Sequence, residues 1–196
     1  MTVQHNAITD PDIHEPKGIV SATAGKVYVS DGASSGEWKY APGKAHAEIY
    51  MTAGTTDFTL AAASGYTKLN PLNVDLESEW LASGFEDHLS VDPSNGEIDL
   101  GLSGHYYISF WITFETAAIA SGSQYYFKFA LDGTTSARTV HTIKPTNGAD
   151  TITLAASGLV NATANQALSI HVAGDGTSSG TIITPVEAGL SALFLD

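Results

Sequence analysis

The segment Tyr106-Tyr107-Ile108-Ser109-Phe110-Trp111-Ile112-Thr113-Phe114-Glu115 constrains the fold of this chain more than any other. Its large apolar side chains recur with a period of two. Tyr106, Ile108, Phe110, Ile112 and Phe114 share one face, and Tyr107, Ser109, Trp111, Thr113 and Glu115 share the other. Such alternation over so long a run predicts a strand with its first face in a core. The second face carries Tyr107 and Trp111, two aromatics that are costly to leave in water. A neighbouring subunit is the expected cover, which makes Tyr107 and Trp111 candidate interface residues.

The rest of the chain from Ala45 onward follows the same grammar. Short β-branched and aromatic runs alternate with Gly, Asn, Asp and Pro turn signals. Strands are expected near 46–52, 56–60, 66–69, 88–92, 97–101, 105–115, 124–131, 150–155, 167–173, 181–185 and 189–195. In the strand at 124–131, Tyr125, Phe127, Phe129 and Leu131 share a side, and Asp132-Gly133 closes it in a turn. Only the stretch 73–85 is ambiguous between a helical turn and a loop. The predicted class is all-β.

Residues 1–44 differ. Pro11, Pro16, Gly18, Gly25, Gly32, Gly36, Pro42 and Gly43 punctuate them, and Lys26-Val27-Tyr28-Val29-Ser30 is the one clear strand. An extended arm is expected, with Ile13, Ile19, Val20, Val27, Val29 and Trp38 as apolar anchors on whatever it lies against. The organisation expected is therefore an arm over 1–44 and one domain over 45–196.

Composition narrows the functions. Eight basic residues against 21 acidic ones give a formal charge of −13. A nucleic-acid partner is not expected, because phosphate contacts need basic clusters. The N-terminal residues lack a basic region followed by an apolar core, so no secretion signal is expected, and no apolar run is long enough for a membrane helix. Absence of cysteine excludes disulfides, thiol nucleophiles and thiolate metal sites.

Catalytic and metal motifs fare no better. The histidines at 5, 14, 46, 88, 105, 141 and 171 show no His-Glu-x-x-His pattern and no close ligand spacing. His105 and His171 are candidates for an ion on a shared symmetry axis, and the others read as ordinary hydrogen-bonding side chains. Asp75, Glu77, Glu79, Glu86 and Asp87 form an acidic cluster without calcium-loop spacing, read as a solvated edge. There is neither a Gly-x-Ser-x-Gly elbow nor a phosphate-binding loop. No enzyme, no metal and no cofactor is expected.

Two resemblances sharpen this reading. The hairpin Leu89-Ser90-Val91-Asp92-Pro93-Ser94-Asn95-Gly96-Glu97-Ile98-Asp99-Leu100, leading into Ser103-Gly104-His105-Tyr106-Tyr107-Ile108-Ser109-Phe110, resembles the tumour-necrosis-factor-like jelly rolls. It is closest in pattern to the globular heads of the complement and short-chain collagen family. Leu168-Ser169-Ile170-His171-Val172 and Gly189-Leu190-Ser191-Ala192-Leu193-Phe194-Leu195 are similar to the last strands of that family. The resemblance implies a jelly-roll β-sandwich, a homotrimer, and an aromatic strand near the threefold axis.

The second involves His14-Glu15-Pro16-Lys17-Gly18, Gly25-Lys26-Val27-Tyr28-Val29-Ser30-Asp31-Gly32 and Gly36-Glu37-Trp38, which resemble N-terminal segments of tailed-phage virion proteins. It implies a virion location as a head fibre or capsid decoration, with the arm docked on the major capsid protein or another virion component. The alternative is a fibre-tip module recognising a receptor or host-surface glycan through loops 132–138 and 174–181.

Overall fold

Alternation of side chains across pleated strands organises nearly everything in the computed structural model. It describes residues 26–30, 36–41, 44–60, 65–69, 80–116, 121–138, 140–144, 146, 149–176 and 182–196. Ile13, Ile19 and Val20 of the expected arm, and Asp75, Glu77 and Glu79 of the acidic cluster, lie outside these residues. The chain divides into two units between Ala41 and Pro42.

In the first unit β1 (Lys26–Ser30) pairs antiparallel with β2 (Gly36–Tyr40), from Lys26 opposite Tyr40 to Ser30 opposite Gly36. The second strand was not expected from a sequence so rich in breakers. Gly36 is required there, since a β-carbon would lie 2.8 Å from the Tyr28 ring. On one face Tyr28 meets Trp38 edge-on at 5.4 Å, and Lys26 sits 5.1 Å from the Tyr40 ring. On the other, Val27 and Val29 are exposed beside the Lys39–Glu37 ion pair.

The second unit is a sandwich of two antiparallel sheets. One has the order β13 (Thr151–Ala162), β9 (Gly104–Thr116), β15 (Ile182–Phe194), β3 (His46–Met51), β6 (Trp80–Ala82), with β4 (Phe58–Thr59) also on β15. The other has β10 (Gln124–Leu131), β14 (Gln166–Gly174), β8 (Glu97–Leu100) and β7 (Ser90–Asp92) in order. There β11 (Thr134–Thr135) and β12 (Val140–Ile143) pair with β10, and β5 (Thr67–Lys68) with β14. Successive long strands cross from sheet to sheet, β3 to β8, β8 to β9, β9 to β10, then β12 to β13, β13 to β14 and β14 to β15. That winding is a jelly roll.

The expected core face of β9 is the core. Tyr106, Ile108, Phe110, Ile112 and Phe114 are all buried, facing Tyr125, Phe127 and Phe129 of the opposite sheet. Phe110 stands edge-on to Phe129 at 5.0 Å, and Phe114 to Tyr125 at 5.3 Å. Each such side chain contributes about 1.5–3 kcal/mol by leaving water. The Tyr106 hydroxyl donates to the Leu102 carbonyl at 2.8 Å, so its burial leaves no orphan oxygen.

Turn chemistry sets the strand ends. Asp132 and Gly133 both have positive φ, 47° and 74°, as a two-residue hairpin turn into β11 requires. The Asn-Gly signal at 95–96 is a 3-10 turn, Pro93–Asn95, in which Asp92 accepts from the Asn95 N–H and Gly96 closes the end at φ 61°. Hydrogen bonds from Asn95 and Ser94 hold the Asp92 carboxyl below the usual carboxylate range.

Three strand expectations change. The strands expected at 181–185 and 189–195 are one, β15, whose register slips between Pro185 and Glu187 where proline has no N–H to give the ladder. The strand expected at 150–155 runs on to Ala162. In the ambiguous stretch 73–85, residues 80–82 form β6 against β3.

Candidate interaction surface

The outward face of the first sheet carries the residues singled out in the sequence. Tyr107 and Trp111 lie on β9, 43% and 38% exposed. Register extends their row across neighbouring strands. Tyr107 stands opposite Leu159 of β13 and Leu193 of β15, giving an exposed apolar row Leu159–Tyr107–Leu193. Two residues along, Ser109 and Ser191 share a 2.7 Å hydrogen bond, with Ser157 on the other side.

The next row runs Ala155, Trp111, Gly189, Tyr50, Leu81. Gly189 leaves the space over which the Trp111 indole lies, since a β-carbon there would come within 2.8 Å of the ring carbon Cε2. The indole is thus held flat by the neighbouring strand instead of swinging freely. Thr113 and Thr153 close the surface with a 2.9 Å hydroxyl contact. Two of the hydroxyl pairs between and beside the apolar rows are thus already bonded within the sheet. Those bonded hydroxyls lose little when water leaves the surface.

Charge lies around this surface. Glu115 and Glu187 are exposed along one end of the sheet, and Glu48 is half-buried on β3. At the opposite end the His105 ring sits 2.6 Å, Nδ1 to Oδ1, from the Asp196 carboxylate. His105 therefore lies on the face that carries Tyr107. His171 does not. It is 6% exposed on the far side of the second sheet, and neither ring nitrogen has a hydrogen-bond partner, nor does the nearby Ser169 hydroxyl. Burial, with Lys68 adding to it, pushes the His171 pKa down to about 4. His171 therefore lies on a different sheet face from Tyr107 and Trp111.

The loop carboxylates considered for glycan recognition have structural employment. Asp132 accepts from the Ala167 N–H at 2.9 Å and from Gln166 Nε2 at 3.1 Å. Asp175 accepts from the Gln124 N–H at 3.0 Å. Among the described residues no three His, Asp or Glu side chains gather as a metal site would need. Trp38, Val27 and Val29 do not act from one side, since Trp38 projects from the opposite face of the hairpin.

No family model and no curated protein sequence matches this chain. Among solved structures it is similar to the Eiger TNF from S. frugiperda, with TM-score 0.49 and 6% identity over 78% of this chain and 94% of that one. It is also similar to the globular domain of the zebrafish complement 1qA protein, with TM-score 0.47 and 9% identity over 78% and 98% of the two chains. The strand order alone establishes the jelly roll.

Leu159, Leu193 and Leu81 were not anticipated as surface residues. Leu193 was legible as the alternate of Phe194 in a predicted strand. Leu159 lay beyond the predicted end of its strand, and Leu81 in the ambiguous stretch.

Proposed function

We propose that this is a non-enzymatic virion structural protein, a phage capsid decoration or head fibre. Its jelly roll associates as a homotrimer through the outer face of the β13-β9-β15-β3-β6 sheet, and its residues 1–44 dock it on the major capsid protein or another virion component. The observation that carries the self-association is the exposed apolar row Leu159–Tyr107–Leu193 with Trp111 beside it. Contiguous apolar rows of this kind are uncommon on lone soluble domains, and aromatics near a patch centre are the side chains that anchor interfaces. Self-pairing of this face fits a chain whose formal charge of −13 opposes association elsewhere.

The docking role rests on the N-terminal residues. A two-stranded hairpin is marginal in water by itself, and this one offers Val27 and Val29 on one side and Trp38 with Tyr28 on the other. A segment of that kind suits a chain laid on a larger assembly.

Light scattering on the full chain, followed by mixing with empty phage capsids, tests the reading. A trimer that binds capsids, and loses binding but stays trimeric when residues 1–44 are removed, is the expected result. A monomer refutes the trimeric assignment. A trimer that ignores every virion component refutes the docking role.

A further inference from the structure

The two edges of the first sheet are unlike, and they are complementary. At the β6 edge, Phe85 is 72% exposed, more than any other large apolar side chain among the described residues. It is not loosely held. Its N–H donates to Ser83 Oγ at 3.3 Å, the preceding Gly84 turns at φ 78°, and the Gly84 N–H donates to Glu86 Oε1 at 3.2 Å. Backbone bonds in both directions between Asp87 and His46 tie the segment to β3. The result is a presented aromatic knob followed directly by two carboxylates, Glu86 and Asp87.

At the opposite edge, where β12 faces β13, a cleft of about 160 Å³ runs between the sheets, bounded by the nearly buried Phe110, Phe127 and Phe129, by Val140 and Ala156, and by Lys128 and Ser157. On its rim lies Arg138, the chain's single arginine. The guanidinium rests against β13 at Gly158, where a β-carbon would come within 2.9 Å of Nη1. Arg138 is exposed and has no carboxylate within ion-pair distance among the described residues, whereas Lys68 pairs with Glu97, Lys144 with Asp150, and Lys128 covers Tyr66.

We infer that Phe85 of one copy enters the cleft of the next, with Glu86 on the Arg138 guanidinium. The apolar wall of the cleft suits an aromatic side chain laid at its mouth, and a guanidinium fork pairs well with a carboxylate. Knob and cleft lie on opposite edges of the same sheet, so each copy gives one and receives one. Such a heterologous contact closes into a ring when the rotation permits. The inference rests on the proposed self-association and specifies its contact.

The absence of native cysteine makes the test direct. The double variant Glu86→Cys with Arg138→Cys is oxidised and run on a denaturing gel without reductant. Linked dimers and trimers are expected, with neither single variant forming them in the same pattern. Separately, Arg138→Glu and Glu86→Arg are each expected to raise the dissociation concentration at least about tenfold, and the two together to restore it. Circular dichroism confirms that each variant keeps its β fold. If the wild type is trimeric but the pair does not cross-link and the reversals change nothing, the knob-and-cleft contact is wrong and self-association stands. If the wild type is monomeric, both fall.

Discussion

Leu159 gives the sharpest quantitative test of the apolar row. It sits on the edge strand β13 and is 61% exposed, so the folded monomer gains little from it. Complete burial of a leucine contributes about 1.5–3 kcal/mol, and the fraction still available to a partner is then worth about 1–2 kcal/mol per interface. In a closed trimer the loss recurs at three equivalent contacts, so Leu159→Ala is expected to weaken the monomer–trimer equilibrium by about 3–5 kcal/mol. That is about two to four powers of ten. Analytical ultracentrifugation across a dilution series measures it, and unfolding of the dilute monomer checks that intrinsic stability is kept. Leu159→Asp, which adds a desolvated charge, is expected to abolish association at any practical concentration. Trimer dissociation unchanged in both variants would refute the assignment of this row to the interface.

Other perturbations separate the surface from the scaffold. Trp111→Asp is expected to yield monomers or insoluble protein by light scattering, and an unaltered trimer contradicts its place in the contact. Gly189→Ala drives a methyl into the Trp111 indole, and a loss of about 1–3 kcal/mol in denaturant unfolding is expected; a neutral result means the indole moves away without cost. His171, with a folded-state pKa of about 4 against an ordinary 6.5, binds its proton more readily when unfolded. Its contribution is fully present above about pH 6.5 and is lost as pH falls toward 4, up to about 3 kcal/mol. Unfolding of the wild type and His171→Gln at pH 7.5 and 4.5 measures it, and equal losses in both exclude the histidine as the source.

What was legible in the sequence depended on whether neighbours along the chain or neighbours in space decide the outcome. The faces of β9 were legible because alternating large side chains state their own period, and Tyr107 and Trp111 fell where that period put them. Beyond Ala155, the run Ala156-Ser157-Gly158-Leu159-Val160-Asn161 mixes small residues with glycine. Its strand exists because β9 offers a partner for all its residues, from Thr151 opposite Glu115 to Ala162 opposite Gly104. Pro185 masked the continuity of β15 for the converse reason, since a local breaker is tolerated where a bulge restores the ladder. Gly36 read as an ending, yet it opens β2, because the Tyr28 ring across the hairpin needs the space. Phe85 and Arg138 lie far apart along the chain, and only the order of strands puts them on opposite edges of one sheet.

The pairing of β3 with β15 has an engineering consequence. Leu193 stands opposite His46, and the Phe194 N–H donates to the Ala45 carbonyl at 2.8 Å, so the backbone enters and leaves the jelly roll at one pole. Strands β3, β9 and β14 finish at the other pole, at Met51, Thr116 and Gly174. A cargo fused next to Phe194 would emerge at the pole where Ala45 enters the sandwich. Grafted at the opposite pole, the same cargo would stand the length of the sandwich away from Ala45 and Phe194, which makes that end the natural place for displaying a foreign peptide.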